Sequence, residues 1–177
     1  YIKVLKKVEI KEGPKYISIE PLKKDLMIDF EVVYKNPLIR TRRKVFKLSD
    51  GDLTPIYNAR TFCLYEDIDQ IKSLGLAKGG SLENAIVVKE NRILNDDGLR
   101  HRNEFVDHKI LDCLGDLMLL GHRLYGHIKT SQGGHQLTNT LLRDFFSDPS
   151  NWKYVSMEDE EIEHKDNTYT NPAAVNA

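Results

Sequence analysis

The sequence predicts an α+β domain, a two-layer sandwich in which one mostly antiparallel sheet packs against two long helices, with a small β-α-β insertion. Three observations carry that expectation. Apolar residues alternate along runs separated by turn signals through the first fifty residues, as half-buried strands require. Helical apolar periodicity appears over residues 104–121 and again over 135–146. The resulting order is sheet, insertion, helix, strand, helix, which is a layered α+β order.

Residues 2–10, 15–21, 25–34 and 41–48 read as strands, divided by the turn signals Gly13-Pro14 and Asn36-Pro37. In the first, Ile2, Val4, Val8 and Ile10 form an apolar face interrupted at Lys6. Residues 49–57 allow a short helix, against which Pro55 counts. A strand at 60–64, a helix at 65–74 with Ile68 and Ile71 inward, and strands at 85–88 and 92–94 follow. Gly75 suits the position just past that helix. Between the two principal helices, 126–131 reads as a strand, and 152–156 as a last edge strand. The domain is expected to span 1–157, leaving an acidic, mobile tail at 158–177 that opens with Glu158-Asp159-Glu160-Glu161.

At 177 residues the chain is long enough for a single sizeable core. No apolar run approaches the ~18 residues of a transmembrane helix, and no signal peptide is visible. The chain opens at Tyr1 on a strand pattern, the expectation for a fragment that starts at a domain boundary. Cys63 and Cys113 are the only cysteines, too few and too far apart for a disulfide scaffold or zinc knuckle. They suit a reducing cytoplasm. Residues 1–50 carry a local charge of +6 within a chain of net charge −1. Because those basic residues alternate along strands, a solvated sheet face explains them better than nucleic acid, for which Tyr16, Phe30 and Tyr34 are too scattered to stack bases.

The chemistry concentrates in residues 104–136, EFVDHKILDCLGDLMLLGHRLYGHIKTSQGGHQ. His108 and Asp112 are four residues apart and share a helix face, and Asp116 extends the stripe by a turn. Phe105, Ile110, Leu111, Leu114, Leu117 and Met118 cover most of the remaining circumference, so the helix should be largely buried. A buried stripe of two carboxylates and an imidazole needs a partner, either basic side chains from elsewhere or a metal ion. Lys109 beside His108, and Gly133-Gly134 delivering His135 to the start of the next helix, favour a functional site.

The runs DHKILDCLGDL at 107–117 and GGHQLTNTLL at 133–142 resemble the C-terminal half of the zinc-dependent UDP-3-O-acyl-N-acetylglucosamine deacetylases of bacterial lipid A, and hence lipopolysaccharide, synthesis. ARTF at 59–62, GLAKGGSLENAIV at 75–87 and LNDDGLRHRNEF at 94–105 support the resemblance. It implies a cytoplasmic amide hydrolase in which zinc-bound water attacks the acetamide. His108 and Asp112 would be two zinc ligands. The third ligand and the general base would come from the N-terminal half, leaving this fragment inactive alone. His135 would stabilise the oxyanion and protonate the amine, oriented by Asp116. Thr61 and Phe62 would line the site near the zinc, with the Thr61 hydroxyl bonding substrate or oxyanion. Lys109 would contact the substrate diphosphate, the alternative being a salt bridge to Asp112 or Asp116. Tyr34 would stack on uracil, or serve as an ordinary sheet residue.

By the same resemblance, residues 62–88 form the passage for the acyl chain. Leu64, Ile68, Ile71, Leu76, Ala77, Leu82 and Val87 would supply its walls, a plain mini-core being the alternative. Cys63 and Leu64-Tyr65 depart from the glycine-aromatic pair frequent after ARTF, and Gln132 stands where a basic residue is common. His101, His122, His127 and His164 match no motif position and read as surface or core residues. A competing class, a non-catalytic nucleotide-sugar or protein-binding domain, would not need His108, Asp112 and His135 together.

Overall fold

The computed structural model describes residues 1–156, so the expected domain end and the acidic tail lie outside the described residues. Among the described residues ten strands and four α-helices follow in order: β1 (Ile2–Val4), β2 (Val8–Glu12), β3 (Lys15–Glu20), β4 (Leu26–Val32), β5 (Arg42–Lys47), α1 (Thr54–Tyr57), β6 (Thr61–Leu64), α2 (Ile68–Ser73), β7 (Ala85–Lys89), β8 (Arg92–Ile93), α3 (Glu104–Leu117), β9 (Leu124–Ser131), α4 (His135–Ser147) and β10 (Trp152–Tyr154).

Seven strands form the main sheet, and β9 is its hub. Its first residues pair in parallel with β1, while the rest runs antiparallel to β3 and parallel to β4. The hairpins β2–β3 and β4–β5 and the β1–β10 pair are antiparallel. The sheet is therefore mostly antiparallel, packed under α3 and α4, and the α+β sandwich stands. The insertion is a separate three-stranded sheet in which β6 and β7 are parallel, α2 crosses between them, and β8 returns antiparallel.

Alternation explains why the sheet has one buried face. Leu26, Ile28, Phe30 and Val32 of β4 are buried, with Ile17 and Ile19 of β3 and Ile128 of β9 beside them. Against them α3 places Phe105, Ile110, Cys113 and Leu117, and α4 places Leu137, Leu141, Leu142 and Phe145, each set spaced as one helical stripe. Phe145 has no exposed surface, so its truncation to Ala would cost about 3–5 kcal/mol.

Two expectations are corrected. Residues 2–10 are not one strand: the chain leaves the sheet at Leu5, where the N–H groups of Leu5 and Lys6 both turn onto Asn151 O. The Lys6 that interrupts the apolar alternation marks that break. Met118 is 65% exposed, because α3 gives way after Leu117 to a 3-10 turn at Met118–Leu120 that lifts its side chain off the core.

Candidate functional site

Helical spacing stacks Glu104, His108, Asp112 and Asp116 along one side of α3, and α4 begins beside it with His135. Asp112 is the meeting point. Its Oδ1 lies 3.3 Å from His108 Nε2 and 4.0 Å from His135 Nε2. Its Oδ2 accepts a hydrogen bond from Lys109 Nζ at 2.8 Å, so the salt bridge is the arrangement Lys109 adopts here. One turn on, Asp116 faces His135 Nδ1. His108 Nδ1 faces Ala59 O at 3.3 Å. Burial holds the His108 imidazole below its ordinary range, and the Asp112 carboxylate pulls it up without overcoming that.

The glycines before α4 set where His135 stands. A Cβ on Gly133 would come within 2.4 Å of Thr130 Oγ1 and 3.2 Å of Phe30 Cζ, and Thr130 is fixed by donating to Tyr16 O. Gln132 just before it has φ +55°, a left-handed turn uncommon for a side-chain-bearing residue. Gln132 and Gly133 together fold the chain back from β9 onto the start of α4.

The donor set suits zinc chemically. Two atoms each ~2.1 Å from one tetrahedral ion stand about 3.4 Å apart, close to the 3.3 Å between His108 Nε2 and Asp112 Oδ1. Imidazole nitrogen and carboxylate oxygen are both zinc donors. Among the described residues, no group of three or more His, Cys, Asp or Glu side chains is arranged to hold a metal. His101 and His122 stand apart from the pair: His101 faces Asp107, and His122 faces Tyr154. His127 is on β9, its ring held below the ordinary imidazole range by burial first and by Lys129 next.

Aromatic rings close one side of the site. Phe62 lies 6.3 Å from the His108 ring and 5.0 Å from Phe105, and Tyr34 meets it edge-on at 5.6 Å. Tyr34 lies just beyond β4 and is 40% exposed. Thr61 opens β6 and, with Phe62, lines a cavity of about 440 Å³ in the insertion. Ile68, Ile71, Ala77, Leu82 and Val87 form its apolar wall. Leu64 and Leu76 do not. Leu64 packs against the main core, and Leu76 is 58% exposed on the surface, beside the turn where Ala77 takes φ +51°.

Sequence reasoning gave no role to Arg60 or Glu104. Glu104 is wholly buried and Arg60 nearly so. The Glu104 carboxylate accepts from Arg60 N at 3.1 Å, Arg60 Nε at 2.9 Å, Arg60 Nη2 at 3.3 Å and Arg100 N at 2.6 Å. Burial alone would push its carboxyl up, but the Arg60 and backbone hydrogen bonds outweigh it and hold it below the usual range. Both residues sit inside runs already picked out, ARTF and LNDDGLRHRNEF. The available signal was slight, a charge of each sign with one apolar neighbour, Ala59 before Arg60 and Phe105 after Glu104.

Comparison with known proteins places these features in a family. The family model described as LpxC, UDP-3-O-acyl N-acetylglycosamine deacetylase, matches residues 1–147. The chain is 38% identical over 164 residues to the UDP-3-O-acyl-N-acetylglucosamine deacetylase of Actinobacillus pleuropneumoniae serotype 3, covering 91% of this chain and 54% of the relative. It is 42% identical over 156 residues to the protein of that name in Campylobacter lari, covering 88% and 53%. For the Cellvibrio japonicus protein of the same name, identity is 39% over 178 residues, covering 99% and 58%. The chain thus spans about half the length of the curated relatives it matches.

Proposed function

Because the chain belongs to the UDP-3-O-acyl N-acetylglycosamine deacetylase family, we propose that it forms the C-terminal half of a zinc-dependent amidase acting on UDP-3-O-acyl-N-acetylglucosamine in bacterial lipid A synthesis. One observation carries the reading: His108 Nε2 and His135 Nε2 both approach Asp112 Oδ1, at 3.3 and 4.0 Å. A non-catalytic binding domain has no use for that convergence.

In this reading His108 and Asp112 hold zinc, with a third ligand and the general base from the N-terminal half. Zinc, when bound, supplies a water whose pKa is about 7. His135 acts through Nε2, since Asp116 occupies Nδ1. As an imidazolium it donates to the developing oxyanion and then passes that proton to the departing amine. Thr61 offers a hydroxyl near the same carbonyl, and Phe62 with Tyr34 gives an apolar wall for sugar or base. Lys109 turns to the diphosphate when substrate arrives. The acyl chain takes the 440 Å³ cavity, each buried methylene contributing ~0.8 kcal/mol.

The exposed Met118 and Leu119, at 65% and 71%, belong in this reading to the surface that meets the N-terminal half. The two free cysteines fit a cytoplasmic enzyme. No helix among the described residues is long and apolar enough to cross a membrane.

The test is reassembly. This chain and a separately made N-terminal half are assayed for acetate release from the acyl UDP-sugar, singly and mixed, with zinc and with chelator. Zinc-dependent turnover only in the mixture is expected. Turnover by this chain alone, or none by a mixture whose halves are folded and associated, overturns the reading.

A further inference from the structure

Two side chains one turn apart on α3 grip the same dipeptide. His108 Nδ1 faces the carbonyl of Ala59 at 3.3 Å. Glu104, four residues earlier on the same face, accepts the N–H of Arg60, the next residue, at 3.1 Å. The Arg60 side chain then returns to that carboxylate through Nε at 2.9 Å. Its remaining donors reach Asp97 Oδ2 at 2.9 Å and Gly98 O at 2.7 Å. The peptide plane between Ala59 and Arg60 is therefore held from both of its polar ends by one helix.

We propose that Arg60 and Glu104 are positioning residues for His108: their pair fixes the Ala59 carbonyl in front of Nδ1, and so turns Nε2 toward Asp112. The proposal rests on the reading of His108 as a metal ligand. An imidazole on a helix can swing about its side-chain torsions, and a partner on the second nitrogen is what fixes the ring of a metal-ligating histidine. A buried ion pair is by itself weak evidence for stability. What singles this one out is where its donors come from. Two are backbone N–H groups, of Arg60 and Arg100. The first shares a peptide bond with the carbonyl that His108 meets. β6 continues from that peptide, so Thr61 and Phe62 inherit the same placement.

The experiment uses the full chain with nuclear magnetic resonance of its histidine and aromatic rings, in the wild type, Glu104→Gln and Arg60→Lys. Ile19→Val, a core truncation in β3 outside the clamp, serves as the control. Wild type should show contacts from the His108 ring to Ala59 and Phe62. Both variants should lose them, and zinc titration followed on the His108 signals should show affinity reduced about 10–100-fold, with Ile19→Val unchanged. Folded variants with wild-type ring contacts and zinc affinity overturn the proposal. So does a wild-type His108 ring without the Ala59 and Phe62 contacts, a result that needs no variant to fold. If the ring contacts behave as expected but zinc shifts no His108 signal, even with the N-terminal half added, the metal reading fails and the clamp stands.

Discussion

His135 Nδ1 lies 2.8 Å from Asp116 Oδ1 and 3.0 Å from Oδ2, so a single ring nitrogen faces both oxygens of a carboxylate two helical turns beyond His108. The imidazole itself is 68% exposed, whereas Asp116 is only 17% exposed. The carboxylate is the more buried member of the pair, and the ring's other nitrogen, Nε2, lies 4.0 Å from Asp112 Oδ1.

That asymmetry predicts how Asp116→Asn behaves. In the reassembly assay of the proposed function, kcat should fall about 10²-fold or more, the range of general acid catalysis, while KM changes little. Steady-state kinetics decides it. Weakened binding at unchanged turnover would assign Asp116 to substrate contact instead.

Gly133→Ala should be costly despite the small change. The new methyl meets Thr130 Oγ1 at 2.4 Å and the Phe30 ring at 3.2 Å, and overpacking of this kind costs about 1–3 kcal/mol. Urea unfolding should report that loss. Gly134→Ala meets nothing within 4 Å and should cost clearly less. Equal losses at the two positions would show that backbone freedom, not space, is what the pair supplies.

The two thiols should separate cleanly. Burial pushes Cys113 up to about 12, and Cys63 is raised less, by burial and then by Asp67. A thiol reagent at pH 8 should label Cys63 slowly and Cys113 only after unfolding, because the thiolate is the reactive form. Rapid labelling of both in the native chain would contradict this burial.

Stability should rise with pH across the range below the ordinary histidine value. His108 and His127 both have lowered values, each chiefly through burial. A histidine whose folded value is depressed contributes stability above its unfolded value, about 6.5, and loses it as pH falls toward the folded one. Glu104 and Asp29 are also lowered, but their stability is lost only further down, below the ordinary carboxylate range. Urea midpoints in chelator should therefore climb through this window, and His108→Gln with His127→Gln should flatten the climb. A flat profile in the unaltered chain would contradict it.

Much of the fold was legible because its periodicities are local. Alternation marked β3, β4 and β5 to within two residues at each end, and the stripes of α3 and α4 needed no tertiary information. The break at Leu5 was not legible, since it depends on Asn151, a residue far along the chain. In the site, His108, Asp112 and Asp116 share a face by spacing alone, and His135 came from its glycine pair. Arg60 and Glu104 escaped because a buried ion pair joins two segments whose proximity no sequence pattern states. Leu64 and Leu76 stand outside the cavity lining for a related reason. Both are aliphatic, but only the backbone course decides which aliphatic residues face a cavity.

The place of β9 bears on how the chain is made. Its partners β1, β3 and β4 all lie within the first 32 residues, yet β9 itself spans Leu124–Ser131. During synthesis the two early hairpins emerge with no strand to lie between them, and unpaired strand edges invite association with other chains. The main sheet closes only when a segment roughly a hundred residues later becomes available, a long loop to close before most native contacts form. Nascent chains truncated before Leu124 should accordingly be the aggregation-prone ones, and release of β9 the step at which the sheet becomes a single cooperative unit.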